Sequence, residues 1–214
     1  NPLDARLIEQ RLLALDTNAS LPEEQKTALR ERYQGILDQL ANSEDFRQRT
    51  QGFRDAVTEA PIRAAEIRAQ LTAAQTATAE ATQDATDPIA EDLDLKAIER
   101  LLAQQQAEIA SLDAQLVEAR KRTEQLDQAP TQVRNRITQT RTELSRVDTE
   151  LEGLGDLAAG SGPNDLAQAS RWLLDAQRLA LTTEQAMLDQ QLLSLDARRE
   201  LADAQLEKLT QERQ

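Results

Sequence analysis

From Ile98 to Leu154, apolar residues return every seven positions in two interleaved series, and few folds accept such a chain. One series runs Ile98, Gln105, Leu112, Ala119, Leu126, Val133, Thr140, Val147 and Leu154. The other runs Leu102, Ile109, Leu116, Thr123, Pro130, Ile137, Leu144 and Leu151. This spacing predicts a coiled-coil seam along one α-helix, because a seven-residue repeat keeps one stripe facing a partner helix. Pro130 falls on the seam without shifting its phase, so the spacing predicts a bent helix over 94–154 rather than two helices. At ~1.5 Å per residue such a helix is on the order of 90 Å long. Gln105, Thr123 and Thr140 put polar groups on the seam. Such groups can fix register or permit hinge-like movement near the proline, and a weakly packed, partly wet seam is the plainer expectation.

The flanking segments repeat the theme. Residues 1–80 predict a first helical hairpin, with a short helix over 3–16 and a long one over about 21–79. Ser20, Pro22 and Glu23 carry a helix-start signature of cap, first-turn proline and capping-box partner. The long helix shows a first stripe of Leu29, Tyr33, Ile36, Leu37 and Leu40. A second stripe follows in Phe46, Thr50, Phe53, Val57, Ala60, Ala64, Ile67, Leu71 and Ala74. The phase slips between Leu40 and Phe46, which predicts an irregularity at 41–43, and Pro61 predicts a kink or a split after Ala60. Residues 81–93 form an acidic connector, with Asp87 or Asp94 as caps for the next helix. Residues 155–165 form a glycine-rich loop ending on a cap at Asn164 or Asp165. The last helix spans 166–214 and is expected to continue in a parent protein. Its repeat is Leu174, Leu181, Leu188, Leu195, Ala202 and Leu209, with Leu192 and Leu206 between and Leu173, Ala180 and Met187 widening the face. Ser194 and Asp196 mark a possible cap or kink within it. The expected fold class is therefore all-α: an elongated bundle of long, proline-kinked helices packed as antiparallel, coiled-coil-like hairpins.

Composition narrows both core and chemistry. Aromatic residues make up only 2% and charged residues 29% of the 214 residues, so narrow seams between helices are expected rather than a thick core. The formal charge of −13 disfavours nucleic acid and anionic lipid, whose phosphates need a basic footprint. No run approaches the roughly 18 apolar residues of a membrane span. The chain holds no histidine and no cysteine, which removes the commonest general base, the commonest metal ligand and every thiolate. No catalytic, cofactor-binding or metal-binding residue is expected, and no cofactor. Asp84, Asp87, Glu91, Asp92 and Asp94 gather near one connector, but they lack the glycine and terminal glutamate of an EF-hand loop. A solvated linker with helix capping is the expectation there. Arg120, Lys121 and Arg122, with Arg134, Arg136, Arg141 and Arg146 beyond, form a basic run that reads as a solvated helix face. A patch for an anionic polymer such as cell-wall material is the sharper alternative. Trp172, in the first turns of the last helix, is expected to anchor packing rather than bind a ligand.

The order of elements carries a resemblance. A short helix precedes a long one through Glu59-Ala60-Pro61, then comes an acidic connector and Leu95-Lys96-Ala97-Ile98-Glu99. A long helix then passes Ala129-Pro130, Gln132-Val133 and Ile137. After the glycine-rich loop a helix carries Ala176-Gln177 and Asp189-Gln190-Gln191. This resembles the N-terminal periplasmic region of large MscS-type mechanosensitive channels of the MscK kind. The resemblance implies a non-catalytic periplasmic domain of a bacterial inner-membrane ion channel that opens under osmotic stress. Its partners would be other subunits of a homo-oligomer, a heptamer in the parent protein, with the cell wall as a further candidate. Its role would be subunit association, sensing of the periplasm or wall, or modulation of tension-gated ion flux. No pore-lining position of that family falls in this chain. A generic coiled-coil scaffold or tether, such as a periplasmic adaptor or structural spacer, is the alternative expectation.

Overall fold

The structure, a computed structural model, describes residues 3–18, 21–84, 95–158 and 165–214. These form four helices: α1 (Ala5–Thr17), α2 (Glu23–Asp84), α3 (Leu95–Ala158) and α4 (Asp165–Arg213). No strand occurs among the described residues, and the fold is all-α. The caps expected of Ser20, Asp87, Asp94 and Asn164 lie outside the described residues, as do most of the acidic connector and residues 159–164. Asp4 caps α1, its carboxylate accepting from the Arg6 N–H at 3.0 Å. The Pro22 carbonyl accepts the first bond of α2, from the Lys26 N–H at 3.0 Å, which puts the proline just outside the helix. Two helices run further than their apolar patterns suggest. The Ala/Thr-rich run after Thr76 stays helical to Asp84, and α3 passes Gly153 and Gly155 to reach Ala158. Ala77, Ala79 and Ala81 in the one, and Leu154, Leu157 and Ala158 in the other, are good helix formers. Adding residues to a helix already nucleated costs far less than starting one.

Pro61 and Pro130 both stand inside helices that continue on either side, so neither proline splits its helix. Each removes one backbone donor, from the bonds that would otherwise reach Val57 and Leu126. The expected irregularity at 41–43 is absent, because α2 is unbroken there. Ser43, only 1% exposed, supplies the missing seam member, and its hydroxyl donates to the Leu40 carbonyl at 2.9 Å. With Ser43 included, a seven-residue series of Leu29, Ile36, Ser43, Thr50, Val57, Ala64 and Leu71 runs through α2 without a slip. Ser194 likewise ends nothing. It is fully buried in the interior of α4, one heptad beyond Met187.

The long helices divide between two compact units, each drawn from separated stretches of chain: 1–53 with 131–192, and 54–130 with 193–214. In the first unit α2 and α4 run parallel. Arg32 donates to the Ser170 hydroxyl at 2.7 Å, and Phe46 and Phe53, later in α2, pack on the cluster that holds Met187 and Leu188, later in α4. α3 runs antiparallel to α4, since Arg136 pairs with Glu184 while the later Asp148 pairs with the earlier Arg178. The helices approach closely at Gly35, where an added Cβ would come within 3.0 Å of Leu173 Cδ1. One core cluster joins Ile8 and Leu15 of α1, Leu29, Tyr33 and Ile36 of α2, and Ala169, Trp172 and Ala176 of α4. A second joins Val133 and Ile137 of α3 to Met187 and Leu188 of α4.

The second unit repeats the up-down-up arrangement with smaller residues inside. Arg68 pairs with Glu200 at 2.6 Å and Gln75 with Gln211 at 3.2 Å, so α2 and α4 are parallel. Arg199 pairs with Asp127 at 2.7 Å and Arg213 with Asp113, so α3 is antiparallel. Its buried residues include Ala60, Ala64, Ser194, Ala202 and Ala204 beside Leu71, Leu116, Leu126 and Leu195. At its N-terminal end α3 leaves the predicted seam uncovered. Ile98 is 48%, Leu102 60% and Ile109 45% exposed, and steady burial begins only near Leu116. The repeat is present there, but no described helix packs on it.

Candidate functional site

The most unusual chemistry among the described residues lies where α4 turns a charge inward. Glu184 sits one turn after the buried Ala180 and just before Met187 and Leu188, so the helix carries its carboxylate into the α3–α4 seam. Its residue is only 6% exposed. Both carboxylate oxygens are met by one guanidinium: Arg136 Nε donates to Oε1 at 2.6 Å and an Arg136 terminal nitrogen donates to Oε2 at 2.8 Å. The other terminal nitrogen reaches Glu143 Oε1 at 3.3 Å, one heptad further along α3. The Glu184 hydrogen bond is the main cause that raises the Arg136 pKa above its ordinary value, against the opposing effect of burial. A fork-on-fork pair of this geometry is rigid and directional. An arginine in such a pair stays charged, and the pair ties α3 to α4.

One turn beyond Arg136, Thr140 is fully buried and its Oγ1 finds no hydrogen-bond partner. The wet-seam expectation therefore fails at Thr140. It fits Gln105, which is exposed, and Thr123 lies between, half-buried with its hydroxyl bonded to the Ala119 carbonyl at 3.3 Å. Trp172 is 8% exposed within the first core cluster, with the Arg11 guanidinium 4.4 Å from its ring centroid. It anchors α1 against α4, as expected of a packing residue. In the second unit burial lowers the Arg198 pKa, with the nearby Arg122 charge adding to the effect.

The basic run is exposed over Arg120, Lys121, Arg122, Arg134, Arg141 and Arg146, and Arg136 alone is drawn out of it into the seam. Of the acidic cluster, Asp87, Glu91, Asp92 and Asp94 lie outside the described residues. No group of three or more acidic ligands suited to a metal ion occurs among the described residues. No described helix is long and apolar enough to cross a membrane. The sequence did not single out the Arg136–Glu184 pair. Its only sequence signal is a charged residue on α3 directly beside the seam position Ile137 and another on α4 one turn from Ala180 and Leu188.

Comparison with known families places residues 11–214 in the family described as the mechanosensitive ion channel porin domain. No curated protein and no solved structure matches the chain.

Proposed function

Since this chain belongs to the mechanosensitive ion channel porin-domain family, we propose that it is the non-catalytic, periplasmic helical region of a bacterial inner-membrane channel of the MscK kind. The family match over 11–214 is the observation that carries this reading. The domain's task is mechanical and associative. It holds subunits of a homo-oligomer together, a heptamer in the parent channel, and modulates the tension at which the pore opens during osmotic shock. Exposed apolar residues of α3 (Leu95, Ile98, Leu101 and Leu102) support an associative role, because uncovered aliphatic seams of this kind mark contact surfaces. Contact with cell-wall material through the exposed basic run of α3 is a further part of the proposal.

The absence of cysteine from these 214 residues makes the test direct. A single exposed cysteine, Gln139→Cys, is introduced into the channel that carries this domain, with any cysteine outside these 214 residues replaced by serine. Labelling of intact cells by a membrane-impermeant maleimide that reaches the periplasm supports the placement. Labelling only after the inner membrane is broken refutes it. Patch-clamp recording of Ile137→Asp against Gln139→Asp then tests modulation. A changed tension threshold for the seam variant alone is expected, and identical thresholds would remove the domain from gating.

A further inference from the structure

We infer that the Arg136–Glu184 pair, a buried carboxylate held by a half-exposed guanidinium, is a register lock that holds α3 and α4 of the first unit against slippage by a whole heptad. A seven-residue repeat specifies which faces meet but not which heptads meet. Val133, Ile137, Leu144 and Val147 on α3, and Leu174, Leu181 and Leu188 on α4, offer similar aliphatic faces at successive repeats. A slip by one heptad therefore costs the aliphatic seam little. The charged pair breaks this degeneracy. After a one-heptad slip in either direction, Glu184 would face Ala129 or Glu143 in place of Arg136. Arg136 would face Gln177 or Gln191. One slip leaves the 6%-exposed carboxylate without a counter-charge and the other sets it against a second carboxylate. Both are strongly disfavoured for a buried charge, and fixing register is the best-attested use of such groups. Glu143 adds to the lock, since its present bond to Arg136 at 3.3 Å holds the guanidinium in line with Glu184. The inference concerns helix pairing alone and stands independently of any role in a channel.

Cysteine pairs read the register directly, because the chain has none of its own. Asp148 and Arg178 form an ion pair at 3.7 Å in the observed register, so Asp148→Cys with Arg178→Cys reports it. Asp148→Cys with Arg171→Cys, or with Gln185→Cys, reports a slip of one heptad either way. Each pair is placed on three backgrounds: unchanged, Arg136→Gln/Glu184→Gln, and the charge-swapped Arg136→Glu/Glu184→Arg combined with Glu143→Gln, because Glu143 would otherwise attract the new arginine at position 184 in a slipped register. Cross-linking with a short bifunctional reagent is quantified on monomeric protein. The native background is expected to link only 148 with 178. The neutral background is expected to raise a slipped link at least tenfold, and the swapped background to return to the native link. A neutral variant that keeps the native link alone would overturn the lock, as would a swapped variant that slips. Should the neutral variant lose its helical circular-dichroism signal, the swapped variant decides by itself, with native linkage supporting the lock and slipped linkage refuting it.

Discussion

Thr140→Val should make this protein more stable, which is unusual for a change at a fully buried position. Thr140 has no exposed surface, and its Oγ1 is buried without a hydrogen-bond partner. Most helical threonines around it do better: Thr138 donates to the Arg134 carbonyl at 3.1 Å and Thr142 to the Thr138 carbonyl at 3.0 Å. Burying a hydroxyl without a partner costs ~1–3 kcal/mol. Valine keeps the shape, differs little in helix propensity, and replaces the hydroxyl by a methyl suited to the seam. A net gain of about 1–2 kcal/mol follows, which for a chain of this size is a rise in Tm of roughly 2–8 °C. Urea unfolding followed by circular dichroism and by Trp172 emission measures it, since that single tryptophan lies in the same unit. The companion Thr140→Ser removes the methyl and leaves the hydroxyl, so it should lose about 1 kcal/mol. If Thr140→Val is neutral or destabilising, the hydroxyl has a partner that matters and the reasoning is wrong.

Other substitutions probe other parts of the argument. Ile137→Asp, at a residue 6% exposed on the α3 seam, should cost roughly 3 kcal/mol or more, while the exposed Gln139→Asp should change stability little; equal urea midpoints would invalidate the seam. Gly52→Ala should gain about 0.5–1 kcal/mol in thermal unfolding, because an added Cβ there meets nothing within 4 Å. Gly35→Ala should gain nothing, since its Cβ would press on Leu173 at 3.0 Å. Trp172→Phe should loosen α1, visible as faster amide exchange at Ile8 and Leu15, whereas Arg11→Ala should cost only about 0.5–1 kcal/mol for the lost cation–π contact.

The helices themselves were legible because apolar spacing alone reports a helix face. The α3 series picks out Leu116, Leu126, Val133, Ile137 and Val147, all buried. The phase slip between Leu40 and Phe46 reads as an irregularity for a physical reason. Inside a helix a hydroxyl can satisfy itself on a carbonyl of the preceding turn, as Ser43 does with Leu40 and Thr50 with Phe46 at 2.7 Å, and then behaves as a small seam residue. The Arg136–Glu184 pair was hidden because its meaning depends on a second helix. Seen on α3 alone, Arg136 is one of several arginines in a basic run. Ile98 and Leu102 show the opposite limit, since a repeat states that a face is apolar but not that a partner lies on it. Pro130 stands inside α3 and Pro61 inside α2, and neither splits its helix.

The parallel pairing of α2 with α4 has a consequence for how the chain assembles. Arg32 and Ser170 are 138 residues apart, whereas Arg136 and Glu184 are only 48 apart. Closing the longer loop costs about 1 kcal/mol more in chain entropy, and contacts between distant residues come later and more slowly. The α3–α4 hairpin is therefore expected to form first and to serve as the template on which α2 docks. In pulse-labelling hydrogen exchange, amides around Ile137 and Leu188 should gain protection before those around Ile36, and a destabilised hairpin should slow refolding of the whole first unit.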